Sequence, residues 1–239
     1  LSVDSPYGDA MGRFHPDVEP HHLDIDLDEY DRAYVVGDVH GCPEPLDRLL
    51  SRLEVTDDDL VAFVGDLVRK GPDSASVVER VRNADNMFSV RGDNEEKLLR
   101  GEKSLASLSG DDLAWIESLP VAITVGENLI VHGGVDPRKP LAEHTIDDLQ
   151  NTRSLAPGGS YDPPYWYEEY AGPPRVFFGH TVLDEPVRSE WAVGLDTGCV
   201  YGGALTAYDL RAETVTAVPA LRDGVGRSDA KIVDVAELS

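Results

Sequence analysis

Residues of the types that bind metal ions follow short apolar runs at several points of this chain. In three places an apolar run rich in β-forming residues ends in Gly-Asp or His-Gly, and a polar or helical stretch follows. This arrangement predicts Asp and His side chains at the carboxyl ends of buried strands, where open α/β sheets bind ligands. Oxygen and imidazole groups gathered there, such as Asp38 and His40 on one extended segment, indicate a pair of hard or borderline divalent metal ions. The segments are GDVHG (37–41), GDLVRKGP (65–72), RGDNE (91–95), VHGG (131–134), FGHT (178–181) and LDTGCVYGG (195–203).

Three aspartates are spaced so that they fall on neighbouring strands. Asp38, Asp66 and Asp93 are separated by similar intervals, each long enough for one helix and one strand. Repeats of that kind place consecutive strands side by side in a sheet, so we expect the three carboxylates along one sheet edge. His132 and His180 also end β-rich runs. A single aspartate after glycine is usually a turn residue, but turns alone do not explain five strand ends that each carry a metal-binding residue type.

The hydrophobic periodicity predicts that strands and helices alternate. Leu46, Leu49 and Leu50 recur at helical spacing, and Ser74 is the expected N-cap of the next helix. Helices are predicted at 43–55, at 74–83, from 95 onward and at 111–118. Strands are predicted at 33–36, 60–64, 87–90, 121–125, 129–131, 175–178, 191–195, 204–208 and 214–218.

The length of 239 residues fits one large α/β domain better than two independent ones. Residues 1–30 are polar and are interpreted as a poorly ordered arm or an edge segment. The predicted domain spans 31–222, and 223–239 is a polar tail. Within the domain, 136–174 is rich in proline and is expected to form a loop-rich cap, because a flexible linker would not carry so many aromatic residues. These aromatics either stack on a nucleobase or pack the cap onto the sheet; they are Tyr161, Tyr165, Trp166, Tyr167 and Tyr170.

Composition narrows the possible partners and the cellular setting. The formal net charge is −24, and such a surface repels duplex nucleic acid. The excess of acidic residues favours a protein of a very salty, halophilic cytoplasm, where self-repulsion is screened, over an ordinary acidic cytosolic protein. No stretch of about 20 apolar residues is present, so no membrane contact is expected. The two cysteines, Cys42 and Cys199, do not form a disulfide framework and are typical of a reduced, cytoplasmic compartment.

The order of the motifs resembles the calcineurin-like metallophosphoesterase superfamily, and most closely its ApaH-like and bacterial-type serine/threonine protein phosphatases. The resemblance covers about residues 33–210. It implies an α/β sandwich of two mixed β-sheets flanked by helices, in a four-layer α/β/β/α order. It also implies a metal-dependent hydrolase whose two-metal-activated hydroxide attacks phosphorus in line, with ions about 3.5–4 Å apart.

Within this family resemblance, each predicted ligand has a role. Asp38 and His40 would bind the first ion, Asp66 would bridge both, and the second ion would be held by Asp93, His132 and His180. Carboxylate and imidazole ligands select Mn²⁺, Fe, Zn²⁺ or Ni²⁺ over Ca²⁺, and we favour Mn²⁺.

Two cations are predicted to hold the phosphate. Arg153 matches the arginine that such phosphatases place over the phosphate; the alternative is a surface arginine at a helix end. Lys70 stands where many relatives have arginine, and it keeps the positive charge without the two-pronged guanidinium. Asp196, in the last motif, is a candidate for orienting a metal-binding histidine.

The RGDNE segment departs from the usual family pattern of Gly-Asn-His. Asp93 occupies the asparagine ligand position and Asn94 the histidine position. Asn94 cannot transfer a proton, and loss of a general acid costs on the order of 10²–10⁴-fold for a poor leaving group. In the alternative register Asn94 is itself the ligand and Asp93 is free, but Asp93 is preferred because Glu95 then keeps its family position.

The predicted activity is hydrolysis of phosphomonoesters or phosphoanhydrides. The substrate is a phosphoprotein, a dinucleoside polyphosphate or polyphosphate, and the sequence does not choose among them. Because of Asn94, the competing hypothesis is a metal-retaining, catalytically weak module that binds phosphate for regulation. Turnover of an activated aryl phosphate by the metal-loaded protein separates the two.

Overall fold

The computed structural model describes residues 14–158, 161–220 and 224–238. Two mixed β-sheets form its centre, and helices cover their outer faces. The strands are β1 (His22–Ile25), β2 (Arg32–Val36), β3 (Asp59–Phe63), β4 (Met87–Ser89), β5 (Ala122–Val125), β6 (Asn128–Val131), β7 (Arg175–Phe178), β8 (Val187–Arg188), β9 (Ala192–Gly194), β10 (Ala204–Asp209) and β11 (Thr214–Pro219). The helices are α1 (Pro43–Arg52), α2 (Ser74–Arg82), α3 (Asp93–Leu99), α4 (Gly110–Ser118), α5 (Ile146–Asn151) and α6 (Trp166–Glu169).

The two sheets differ in how their strands are ordered. The five-stranded sheet has the order β11-β10-β2-β3-β4, in which β2, β3 and β4 are parallel. The six-stranded sheet has the order β1-β5-β6-β7-β9-β8, in which β6, β7 and β9 are parallel. Each parallel set brings the carboxyl ends of its strands to one edge, and these edges carry the predicted metal ligands.

Alternate side chains of the strands face different cores, as the two-residue period of a strand requires. On β2, Val35 packs into the core between the two sheets, whereas Tyr34 and Val36 face the helices. Leu49 of α1 lies in that outer core. On the far side, Trp166 of the cap packs against the six-stranded sheet. The four-layer sandwich predicted from the sequence is confirmed.

Several predicted boundaries are wrong, each for a local reason. Helix α1 ends at Arg52 rather than Val55, because Glu54 adopts a left-handed φ of 51° that closes the helix. Asp73, not Ser74, caps α2 by accepting a hydrogen bond from the Ser76 amide at 3.0 Å.

Helix α3 begins at Asp93, two residues before the predicted start at Glu95. The Glu95 carboxylate accepts a hydrogen bond from the Gly92 amide at 2.9 Å, and this contact fixes the first turn. Asp93 and Asn94 therefore lie on a helix and not on a loop, so their side chains have fixed directions.

The structure describes part of the predicted N-terminal arm and most of the predicted C-terminal tail. Residues 1–13 of the predicted arm lie outside the described residues; residues 22–25 form β1, which pairs in parallel with β5 at the edge of the six-stranded sheet, as the edge-segment alternative expects. In the predicted tail, Val233 is buried and pairs with Leu183. The division at 31 and 222 stays a prediction. Among the described residues, no helix combines the length and the apolar character that crossing a bilayer needs.

Candidate metal centre

The carboxyl ends of five strands meet in one polar cavity. Asp38, Asp66 and Asp93 follow the parallel strands of the five-stranded sheet, and His132 and His180 follow β6 and β7 of the other sheet. The loop after β2 also carries His40. All six predicted ligands therefore lie together, although they are spread over more than half of the sequence.

The six side chains form two groups of three. Within each group the possible ligand atoms lie within 4.8 Å of one another; the groups are Asp38, His40 and Asp66, and Asp93, His132 and His180. Asp66 lies between the groups. Its Oδ2 is 3.5 Å from His40 Nε2, and its Oδ1 is 3.4 Å from His132 Nε2. One carboxylate that presents one oxygen to each group has the geometry of a bridging ligand.

Backbone carbonyls orient the rings of two histidines. His40 Nδ1 lies 3.2 Å from the Val68 oxygen, and His132 Nδ1 lies 2.8 Å from the Val64 oxygen. Because a carbonyl oxygen only accepts, these contacts place a proton on Nδ1 and turn Nε2 toward the cavity, the orientation of a metal-binding imidazole. His132 Nε2 is buried and has no hydrogen-bond partner among the described residues. An orphaned ring nitrogen in this position fits a metal ion.

The buried charges also fit cations. Asp38, Asp66 and Asp93 are each less than a tenth exposed. Burial, followed by the charge of Asp196, raises the pKa of Asp38 well above its ordinary value. Burial opposes charge on the His132 ring, but the adjacent carboxylates, chiefly Asp66, raise its pKa to about 10. A proton on that ring balances the carboxylates, and divalent cations would supply the same balance while displacing the proton.

The backbone is strained around these ligands. In the described chain, seven residues other than glycine have positive φ, and five of them lie at the centre. Left-handed conformations of such residues cost free energy and persist where the surrounding structure enforces them, commonly at functional sites. The five are His40, Asp66, Arg69, Lys70 and His180.

Two glycines permit the close approach of carboxylates to the backbone. A Cβ on Gly179 would lie 1.9 Å from Asp38 Oδ1, and a Cβ on Gly92 would lie 2.3 Å from Asp66 Oδ1. Any larger residue at either position would displace a predicted ligand.

Glu95 organises the loop that carries Asp66, a role that sequence reasoning missed. It is fully buried, and its Oε2 accepts hydrogen bonds from the amides of Asp66 and Gly92 at 2.9 Å each. Its Oε1 accepts from the Val68 amide at 3.1 Å. Burial and the neighbouring Asp66 charge raise the pKa of Glu95 to about 7. The one signal of this role is that Glu95 is the third residue of helix α3, the position from which a glutamate side chain reaches back to the amide before the helix.

Asn94 is held between the two carboxylates. Its amide side chain donates to Asp66 and, at 2.9 Å, to Asp93 Oδ1, and its carbonyl oxygen accepts from Arg69. Asp93 Oδ1 lies 3.4 Å from His132 Nε2. The geometry favours Asp93 over Asn94 as the ligand, because the Asn94 oxygen is already occupied by a guanidinium.

The two predicted phosphate-binding cations line the same cavity, whose volume is about 280 Å³. Lys70 Nζ lies 2.8 Å from His40 Nε2. Arg153 donates to the His180 carbonyl at 3.2 Å and stacks on the Tyr161 ring at 4.1 Å. Asp196, considered for orienting a histidine, accepts a hydrogen bond from the Gly198 amide at 3.1 Å.

Four further cationic side chains line the cavity, and none of them was predicted as a site residue: Arg69, Lys97, Lys103 and Arg227. Lys97 pairs with Asp93 one helical turn away, and this spacing could have been read from the sequence. Arg69 lies in the GDLVRKGP segment, but the sequence analysis chose Lys70 of that segment as the phosphate-binding residue. Lys103 and Arg227 follow no motif; Arg227 reaches the cavity from the predicted tail.

Comparison with known proteins decides the family. The sequence profile described as calcineurin-like phosphoesterase matches residues 32–218, most of the chain. This chain belongs to the calcineurin-like phosphoesterase family. The resemblance predicted from the motifs is confirmed, and so is the reaction class, hydrolysis of phosphoester or phosphoanhydride bonds. The family also accounts for a dinuclear divalent metal centre, which fits the two ligand groups.

Several relatives of this phosphoesterase are nucleotide hydrolases. The asymmetrical bis(5'-nucleosyl)-tetraphosphatase PrpE of Bacillus subtilis is 25% identical over 77% of this chain and 93% of its own length. The symmetrical bis(5'-nucleosyl)-tetraphosphatase of Vibrio cholerae is 26% identical over 72% of this chain and 93% of its own length. A solved structure of a candidate diadenosine tetraphosphatase superposes with a TM-score of 0.77 and 29% identity, covering 84% of this chain and 99% of that chain.

Proposed function

We propose that this phosphoesterase cleaves phosphoanhydride bonds of dinucleoside polyphosphates, with two divalent cations of which Mn²⁺ is favoured over Fe, Zn²⁺ and Ni²⁺. Relatives that act on such nucleotides, on the evidence of their names, support the substrate class. The ligand roles predicted for the two groups of side chains are part of this proposal. Bound cations would activate a water molecule as the nucleophile and neutralise charge on the phosphoryl oxygens.

Other residues of the chain position the metal ligands and bind the phosphoryl group. Asp66 orients both halves of the centre, and Glu95 fixes the loop that carries it. Lys70 and Arg153 line the cavity and bind the oxygens of the transferred phosphoryl group as charge develops on them. Arg153 suits that role because the hydrogen bond that it donates goes to a neutral carbonyl, and it forms no ion pair with a carboxylate among the described residues.

The asparagine at position 94 favours substrates whose leaving group departs without protonation. Asn94 is buried, donates to two carboxylates and accepts from Arg69, so it offers no transferable proton to a leaving group. A serine alkoxide needs protonation to depart, whereas a nucleoside polyphosphate departs as a weak base. The centre is therefore better suited to anhydrides than to phosphoserine.

A substrate panel with Mn²⁺ tests this proposal. We expect kcat/KM for a dinucleoside tetraphosphate to exceed that for a phosphoserine peptide by about 100-fold, the lower end of the range for general-acid catalysis. A phosphoserine peptide hydrolysed as efficiently as the tetraphosphate would overturn it. Product analysis then gives the point of cleavage, since asymmetrical cleavage releases a mono- and a triphosphate and symmetrical cleavage two diphosphates.

Asn94→His is expected to raise turnover selectively for poor leaving groups. An imidazole there could protonate a departing alkoxide, so the gain should be at least about tenfold larger for a phosphoserine peptide than for an aryl phosphate. The measurement is kcat for both substrates at saturating Mn²⁺.

Asn94→Ala is the matched control, because it removes the same hydrogen bonds without adding an acid. It should change both substrates alike. Equal effects of Asn94→His on the two substrates would mean that position 94 is not the acid position in this enzyme.

We also propose that the enzyme works in the cytoplasm of a cell with a high internal salt concentration, and that it binds neither duplex nucleic acid nor membranes. The net charge of −24 supports it. At an ionic strength of about 1 M the screening length is roughly 3 Å, which removes most self-repulsion between surface carboxylates. Activity that peaks at low salt would contradict this setting.

A further inference from the structure

Cations and aromatic rings alternate along the rim of the cavity. The Arg153 guanidinium lies 4.1 Å from the centre of the Tyr161 ring, and the Arg227 guanidinium lies 5.5 Å from the same centre. Arg227 is also 4.6 Å from the Tyr201 ring, which Lys70 approaches to 5.4 Å. Arg227 thus lies between the two rings that contact Arg153 and Lys70.

Arg227 is held in place and does not belong to a free tail. The Val225 amide donates to the Val200 carbonyl at 2.8 Å, and the Val233 amide donates to the Val182 carbonyl at 2.8 Å. The chain is therefore anchored on both sides of Arg227. Its Nε donates to the Lys231 carbonyl at 2.9 Å, which closes a local loop.

The side chain of Arg227 is also oriented. Its Nη2 donates to the Tyr161 hydroxyl. Tyr161 contacts Arg153 as well, so the two guanidiniums share one aromatic contact, and Arg153 alone of the two has a hydrogen bond to a predicted ligand residue, His180, within the described chain. Ordering of this kind lowers the entropic cost of binding an anion, since fewer rotamers are lost.

The charge around the cavity is unusual for this protein. Acidic residues outnumber basic ones by 45 to 21, yet six cations line this one cavity. Among the described residues, Lys97 is the only one of the six that forms an ion pair with a carboxylate. The others are Arg69, Lys70, Lys103, Arg153 and Arg227.

We propose that Arg227 and Tyr161 form a second anion subsite, which takes the phosphate next to the scissile one in a phosphoanhydride chain. This deepens the proposed function and rests on it. Lys70 and Arg153 lie against the metal-ligand histidines and hold the reacting phosphoryl group. Arg227 is joined to these two cations through the rings of Tyr161 and Tyr201, so we assign it to the next phosphate of a chain and not to the reacting one.

Competitive inhibition by inorganic anions tests the subsite without a nucleotide substrate. Hydrolysis of an aryl phosphate is inhibited with orthophosphate or with inorganic triphosphate, at constant free Mn²⁺ because triphosphate chelates the metal. The wild-type enzyme should bind triphosphate more tightly than orthophosphate. Arg227→Ala should weaken triphosphate binding by about 10-fold or more, the effect of one charge-assisted hydrogen bond, and weaken orthophosphate binding far less.

Lys231→Ala is the matched control, because it removes one positive charge from the same segment at a residue that does not line the cavity. It should change neither inhibition constant. Arg227→Lys should restore part of the triphosphate affinity, since it keeps the charge without the planar fork. Thermal unfolding of each variant checks that the segment remains folded.

Two outcomes overturn the subsite: a wild-type enzyme that binds triphosphate no more tightly than orthophosphate, and an Arg227→Ala variant that weakens both anions equally. Failure of the proposed function looks different. If triphosphate selectivity depends on Arg227 but dinucleoside tetraphosphates are not hydrolysed, the subsite stands and the nucleotide assignment falls.

Discussion

Asp66→Asn is expected to lower kcat/KM by roughly 10³-fold and to reduce the bound metal below two ions per chain, because metal-ion catalysis supplies several kcal/mol. Asp66 presents one oxygen to each ligand group, so no other single side chain serves both. The substitution also turns one of those oxygens into an NH₂ group. Asn94 donates to both Asp66 oxygens through its backbone and side-chain nitrogens, so a donor would then face a donor.

Asp93→Asn is the comparison that isolates the bridging role. It also replaces a predicted ligand carboxylate by an amide, but it keeps a carbonyl oxygen and installs the residue usual at this family position. It loses the ion pair with Lys97 and the negative charge beside His132 and His180, but it leaves Asp66 in place, so its effect should be much smaller than that of Asp66→Asn. Elemental analysis and steady-state kinetics of both variants give the test. An Asp66→Asn enzyme that retains two ions and a near-normal rate would show that Asp66 does not bridge.

Complete removal of divalent metal is expected to abolish activity, and adding Mn²⁺ back is expected to restore it. Without divalent cations no water molecule is activated as the nucleophile, and the buried carboxylates of the centre would repel an anionic substrate. The preparation should be chelated, dialysed and checked by elemental analysis before the assay.

The rates that different divalent metals restore to the metal-free enzyme identify the metal that it prefers. Mn²⁺ is expected to give the highest rate, and Ca²⁺ none, because imidazole ligands are unsuited to Ca²⁺. Full activity in a preparation shown to hold less than one ion per ten chains would contradict the metal-dependent reaction.

Much of the sandwich could be predicted because its strands are short apolar runs that end in conspicuous polar residues. The strand over 175–178 was predicted with its correct ends, since Arg175 and Gly179 bound an apolar run. The six predicted ligands also came together, because parallel neighbouring strands fix where their carboxyl ends lie. Local sequence determines these features.

The features that were missed depend on contacts between distant parts of the chain. Strand β1 pairs with β5, about a hundred residues later, and its own residues are too polar to signal a strand. Arg227 reaches the cavity only because Val225 and Val233 are anchored on other elements. The helical position of Asn94 depended on the Glu95 carboxylate folding back onto Gly92. No periodicity within these segments encodes such partners.

The two ligand groups differ in where their residues come from, and this affects assembly. Asp38, His40 and Asp66 all follow strands of the five-stranded sheet, whereas Asp93 belongs to that sheet and His132 and His180 to the other. The first metal position can therefore form within one folding unit, but the second exists only after the sheets have docked. A cation held by Asp93, His132 and His180 would link the two sheets, and its binding free energy would add to the free energy of unfolding.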